Sequence, residues 1–304
     1  MLAFINSLPG AVAQGIIWGI MAIGVYITYR ILDFADLTVD GSMAAGGAVF
    51  VTCALGGVNI YLSMLIAFIA GCLCGLATGI LYTVFGIPPI LSGILTQLGL
   101  YSVFLNIVGK SNQGISVDVY NLVVSMRNNP KSIVVGLIIT AVLIAILYWF
   151  FGTELGHSIR ATGNNQNMAK ANGINTNVNA IIALVISNGI VALSGALYTQ
   201  YQGYADVSMS RGAIVIGLAA VIIGEVIFGK IFKNFALRLA AAVIGGIIYY
   251  VVVTLVVSLG LPSEDLKLFT ALVVAIFLGV PYWRNRIAAK RVKKAKVEGG
   301  AENA

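Results

Sequence analysis

From Pro9 to Tyr29 the chain reads PGAVAQGIIWGIMAIGVYITY, without a single charge. As a helix this stretch would extend about 31 Å, enough to cross the hydrocarbon core of a bilayer. It reads as a first membrane span. Nothing before Arg30 is charged except the amino terminus, so the basic start of a secretory signal peptide is missing. Beyond Arg30, apolar segments follow at 42–58, 60–85, 89–109, 132–151, 178–200, 212–229, 235–258 and 268–283. The expectation is an all-α polytopic membrane bundle of about nine spans, between eight and ten. Composition agrees: the 304 residues are 59% hydrophobic and 10% charged, with a mean hydropathy of +0.97, against roughly 25% charged residues in a soluble domain. A separate aqueous domain does not fit.

The net charge is +7, from 18 Lys and Arg against 11 Asp and Glu. Seven of the cations, Arg284, Arg286, Lys290, Arg291, Lys293, Lys294 and Lys296, lie in the tail 284–304. A basic tail after an apolar segment reads as a cytoplasmic end of a membrane protein and not as a nucleic-acid site; a contact with anionic lipid or a partner is the other reading. Nine spans place the termini on opposite sides, with the N-terminus outside. Arg30, Arg160, Lys170, Lys230, Lys233, Arg238 and the tail then fall inside, against Lys110, Arg127, Lys131, Arg211 and Lys267 outside, as the positive-inside rule asks. The domain reading is one transmembrane unit over 1–283, with an inside loop at 152–177, followed by the tail.

Chemistry is sparse. Cys53, Cys72 and Cys74 sit in apolar runs, and two helical steps turn Cys72 and Cys74 to nearly opposite sides. With one histidine in the chain, no zinc cluster is expected. Gly224 to Ile231 satisfies G-x4-G-K, but Ile231 stands where a phosphate loop needs Ser or Thr, and a span precedes it. No nucleotide, metal or other cofactor is expected on this chain, and no nucleophile and base are paired for enzymatic work. Glycines recur inside the spans, at Gly15 and Gly19 and at Gly71, Gly75 and Gly79, spacings that let helix backbones approach closely. They suit contacts within one chain or a dimer seam.

Two stretches break the plain pattern. In Asp33-Phe34-Ala35-Asp36-Leu37-Thr38-Val39-Asp40-Gly41, a continuous helix would stack three carboxylates as i, i+3 and i+4 neighbours, which repel and are costly against lipid. A broken or short second span follows, of the kind that borders a transport pathway, with Asp33, Phe34, Asp36, Thr38 and Asp40 as candidate pathway residues. The alternative is that Asp40 or Thr38 caps the next helix and Asp33 and Asp36 sit in an inner loop with Arg30. Glu225, one turn from an inner end, either joins the pathway or pairs with headgroups, Lys230 or Lys233. The other stretch is the loop 152–177. Asn164 or Asn165 as N-cap and Gly173 as C′ residue leave room for about two helical turns. A capped helix carrying Met168 and Ala169 among polar residues offers a handle for another protein, or else lies on the lipid surface. His157 beside Glu154 could form an acid/base pair, but nothing orients it.

These residues resemble a family. Gly10 to Val51, with Ala22-Ile23-Gly24 and the acidic break, is similar to the start of membrane subunits of bacterial ATP-binding-cassette importers of the branched-chain amino acid and ribose permease type. Leu155-Gly156, Ile159-Arg160-Ala161, Gly163-Asn164 and Ala169 through Gly173-Ile174-Asn175 resemble that family's ATPase-contacting segment. The resemblance covers nearly the whole chain and extends to the subgroup that works with aromatic amino acid-type binding proteins. It implies a type II importer-like permease, a homodimer in the bilayer, with a cytoplasmic ATP-binding subunit and an extracytoplasmic substrate-binding protein as partners. Coupling to the ATPase would pass to Glu154, Gly156, Arg160, Gly163, Asn165, Ala169 and Gly173. Asp33-Phe34-Ala35 resembles the amino acid branch and Asp36-Leu37-Thr38-Val39 the sugar branch; the solute expected is an amino acid or similar small molecule. The competing class is an ion-coupled carrier or channel built on Asp33, Asp36, Asp40 and Glu225.

Overall fold

A computed structural model describes residues 2–117 and 120–258, with scattered helical positions between 268 and 279. The elements in chain order are α1 (Leu2–Tyr26), which runs into a π turn (Ile27–Ile31), α2 (Thr38–Leu55), α3 (Ile60–Thr83), α4 (Pro89–Val108), β1 (Asn112–Gly114), α5 (Asn129–Phe151), α6 (Glu154–Asn164), α7 (Gln166–Ala171), α8 (Thr176–Gln202), β2 (Tyr204–Asp206), α9 (Ala213–Phe228) and α10 (Phe235–Ser258). Among the described residues, seven helices are long and apolar enough to cross a membrane: α1 with its π turn, α2, α3, α4, α5, α8 and α10. The seventh expected segment forms the shorter apolar helix α9. The expected ninth span, 268–283, and the tail 284–304 lie outside the described residues apart from a few helical positions.

Two departures from the sequence expectation have local causes. The second span starts at Thr38 rather than 42, because Asp36 turns the chain into it. The other is a small addition to the all-α bundle: β1 and β2 form a two-stranded antiparallel ribbon of three residues each, with Asn112 opposite Asp206. The chain leaves α4 through Gly109 and α8 through Gly203 at the same end, and the two exits pair there.

Helices α1, α2 and α8 form the interior, while α4 and α5 lie outermost. Lipid provides no hydrophobic drive between helices, so close backbone approach has to hold them. The glycines supply it. A Cβ on Gly71 would collide with the Asn188 carbonyl of α8, and one on Gly75 with that of Leu184; Gly46 of α2 faces Ala192, and Gly195 of α8 faces Met43. Gly15 and Gly19 meet Ile247 and Val243 of α10, where a Cβ would come within 2.6 and 2.8 Å of the nearest atom. The glycine stripes thus serve packing within the chain. The three cysteines are free.

Candidate functional site

The acidic break is real, and it sends its carboxylates to three environments. Leaving the π turn, Asp33 takes a positive φ of 55°, unusual for a residue with a Cβ, and is exposed. Phe34 is buried edge-on against Tyr82, 5.1 Å between centroids. Asp36 is 1% exposed: its Oδ1 accepts from the Thr38 backbone N–H at 2.9 Å and its Oδ2 from Asn188 Nδ2 at 2.7 Å. The Asn188 Oδ1 in turn accepts from Ser42 Oγ at 2.6 Å. A second chain of hydroxyls runs from Thr38 to Thr78 at 2.6 Å and on to Thr96 at 2.9 Å. Together they tie α2 to α3, α4 and α8 through buried groups whose hydrogen bonds are met internally. That is the condition for polar groups at membrane depth.

Asp40 does something different. Its Oδ2 accepts from the Gly212 N–H and its Oδ1 from the Ile214 N–H, both at 2.9 Å. It caps a helix as the sequence allowed, but that helix is α9 rather than its own. Gly212, at φ 87°, makes the turn into α9, and a carboxylate suits the positive end of a helix. A cleft of about 190 Å³ opens beside this cap, lined by Asp40, Gly41, Gln97, Leu98, Tyr101, Phe104, Ser210 and Arg211 among others. Gln97 lies about 12 Å along α4 from Pro89 and about 16 Å before Val108, near the middle of a membrane-length helix. An arginine facing hydrocarbon at such a depth costs about 2.5–3.5 kcal/mol. The cleft therefore borders water or protein.

At the opposite end of α8 the expected inside loop is two helices rather than one. Thr153 N-caps α6, accepting from the Gly156 N–H at 3.4 Å. Gly156, Ile159 and Thr162 recur on the buried face, a period the sequence carries but which the loop reading passed over. Gly156 abuts Phe151, and a Cβ on Gly163 would collide with the Ile31 carbonyl, so α6 sits directly on the π turn. Asn179 of α8 donates to Ser158 and Thr162 at 2.6 and 2.9 Å. Arg160 lies over the Phe235 ring, 4.3 Å from its centroid. Burial lowers the guanidinium's pKa, Tyr26 counteracts that and Arg238 adds to it.

The short helix α7 forms as read. Asn165 caps it through the Met168 N–H at 3.0 Å, and Gly173, at φ 78°, ends it. Gly173 N–H donates to Lys170 and Ile174 N–H to Ala169, both at 3.0 Å, the Schellman closure. Its outward residue is Met168, 64% exposed, while Ala169 is 2% exposed and faces inward against the bundle. Glu154 is exposed, and His157 Nδ1 donates to the Thr153 carbonyl at 2.8 Å instead of meeting Glu154. Glu225 pairs with Arg30 at 2.9 Å, not with Lys230 or Lys233.

Asp33, Asp36, Asp40 and Glu225 are thus not gathered into one site, and no three metal-ligating side chains come together among the described residues. Sequence reasoning missed Ser42, Thr78, Thr96, Gln97, Asn188 and Arg211. Asn188 alone carried a signal, as an amide in the apolar run from Ile181 to Leu193.

Comparison with known proteins adds to this geometry. The family described as branched-chain amino acid transport system / permease component matches residues 8–281. A tyrosine transport system permease protein of Clostridioides difficile (strain R20291) is 38% identical over 273 residues, 90% of each chain. An uncharacterized protein of Rickettsia prowazekii (strain Madrid E) is 33% identical across 90% of this chain and 97% of its own. A fructose import permease protein of Bifidobacterium longum (strain NCC 2705) is 27% identical across 80% and 73%.

Proposed function

This chain belongs to the branched-chain amino acid transport system permease family and is the translocation subunit of an ATP-binding-cassette importer for a small solute in the inner membrane; on that premise we propose that its solute is an amino acid and that the α6–α7 elbow is where the ATPase drives it. The 38% identity to a tyrosine permease over 90% of both chains favours the amino acid, although a fructose permease is also related. The elbow reading is carried by one observation: a doubly capped pair of helices, seated through Gly163 on the π turn of α1, presents Met168 to solvent.

A push on α7 reaches α6 through Asn165, which ends one helix and caps the next. From α6 it reaches Ile31 and Leu32 and so the start of the broken span. ATP binding by two partner subunits would rock two such permeases, paired as a homodimer, between outward and inward access. In this arrangement the α6–α7 end is cytoplasmic, the β ribbon and the N-terminus are extracytoplasmic, and a binding protein delivers solute at the ribbon end. Residues 1–283 act as one permease unit with the basic tail inside.

The test is reconstitution with the neighbouring ATPase and binding-protein subunits. Uptake of L-tyrosine or L-leucine that requires ATP and all three components supports the reading. Uptake by this chain alone, driven by an ion gradient, would refute the coupling role.

A further inference from the structure

We infer that the cleft between α2, α4 and the turn at 207–211 is a station for the solute, built for a zwitterionic α-amino acid with an apolar or aromatic side chain. In it Arg211 receives the carboxylate, Asp40 the ammonium, and Leu98, Tyr101 and Phe104 the side chain. The inference rests on the amino acid reading above and extends it to named residues.

Position comes first. The cleft lies near the middle of α4, the depth at which transporters built from interrupted helices hold their substrates. Both interruptions of this chain meet there: α2 begins at Thr38 after the acidic break, and α9 begins at Ala213 after the descending turn. Charge comes second. The Arg211 side chain is exposed on the cleft and, among the described residues, donates no side-chain hydrogen bond; Asp206 of β2 acts on it as a neighbouring charge from outside the cleft lining, and its backbone N–H bonds Ser208. Asp40 uses one lone pair of each oxygen at the α9 terminus, and a carboxylate oxygen has two. The positive end of α9 favours negative charge at Asp40 and leaves it acceptor capacity.

A cation and an anion on one cleft match a zwitterion. A neutral polyol hydrogen-bonds both groups but returns no opposite charge to either. Gln97, half-buried on the same wall, makes no hydrogen bond to another described residue and supplies a further donor for the carboxylate. Size comes third. The cleft holds about 190 Å³, room for a small solute on the scale of one amino acid. Tyr101, Leu98 and Phe104 give the side chain an apolar wall, and the Tyr101 face suits a second aromatic ring.

The experiment uses the full transporter, permease with its ATPase and binding protein, in proteoliposomes, and compares uptake of L-tyrosine, L-leucine and D-fructose. Arg211→Gln should lower amino acid uptake at least about tenfold while binding-protein-stimulated ATP hydrolysis persists, and Arg211→Lys should recover part of the loss. Tyr101→Ala should reduce L-tyrosine uptake more than L-leucine uptake. In a chain with its three cysteines replaced by alanine, N-ethylmaleimide labelling of Leu98→Cys should be slowed by L-tyrosine and not by D-fructose. Wild-type amino acid uptake by both Arg211→Gln and Tyr101→Ala would overturn the station and leave the amino acid reading standing, as would labelling indifferent to L-tyrosine. A wild-type transporter that carries D-fructose and neither amino acid would overturn the amino acid reading and this site with it.

Discussion

The α2–α3–α8 seam and the α6–α7 elbow both depend on glycine, to opposite ends. Along the seam, glycines on three helices bring backbones together over several turns, and a buried polar chain from Asp36 to Thr96 locks the arrangement. In the elbow two close approaches, Gly156 on Phe151 and Gly163 on Ile31, seat a pair of helices whose outer face is exposed. The seam is suited to move as one body and the elbow to be gripped. The difference is one of chemistry: the polar network of the seam is met within the chain and what α3 exposes is apolar, Leu65, Ile69 and Leu73 among it, whereas the elbow leaves Gln166, Asn167, Met168 and Lys170 in solvent.

Substitutions can break this contrast. The largest effect is expected from Gly75→Val, which drives a branched side chain into the Leu184 carbonyl and should cost about 3 kcal/mol or more. The control is Gly99→Val, where a Cβ meets nothing within 4 Å; thermal unfolding in detergent should separate the two, and equal melting would deny the seam its rigidity. Next comes Asp36→Leu, which strands the Asn188 amide and the Thr38 N–H at about 2–3 kcal/mol. An unchanged melting temperature would mean that the network does not hold α2. Thr78→Val removes the hydroxyl linking Thr38 to Thr96 and should cost about 0.6 kcal/mol, measurable as a small shift in the same assay. Smallest in stability is Met168→Glu, which should leave melting unchanged yet abolish co-purification of the ATPase and ATP-driven uptake. Ala169→Glu, by contrast, should loosen the elbow itself, since Ala169 faces inward. If Met168→Glu still binds and transports normally, the elbow is not the handle.

The helices, the α7 cap and the place of the break were legible because their causes are local. An apolar run of 20 residues, an Asn and a Gly a helical turn or two apart, and three carboxylates on one helical stripe act within a few residues of themselves. Helix α6 was legible too, in the buried period Gly156, Ile159 and Thr162, but a polar connection between spans masked it. Asp40 shows the limit. That it would cap a helix follows from residue type, while which helix depends on a partner 172 positions away.

The sequence by itself determined that this chain crosses a membrane many times, sets an acidic break before a short second span and carries a capped helix in its longest polar connection, because apolar length, charge repulsion and capping chemistry need no distant partner. The tertiary structure alone decided that Asp36 meets Asn188, that Asp40 holds α9, that Glu225 meets Arg30 and that the glycine stripes face other helices of the same chain. Those pairings depend on which faces of the helices meet, and a side chain is satisfied by whatever the fold brings within about 3 Å of it.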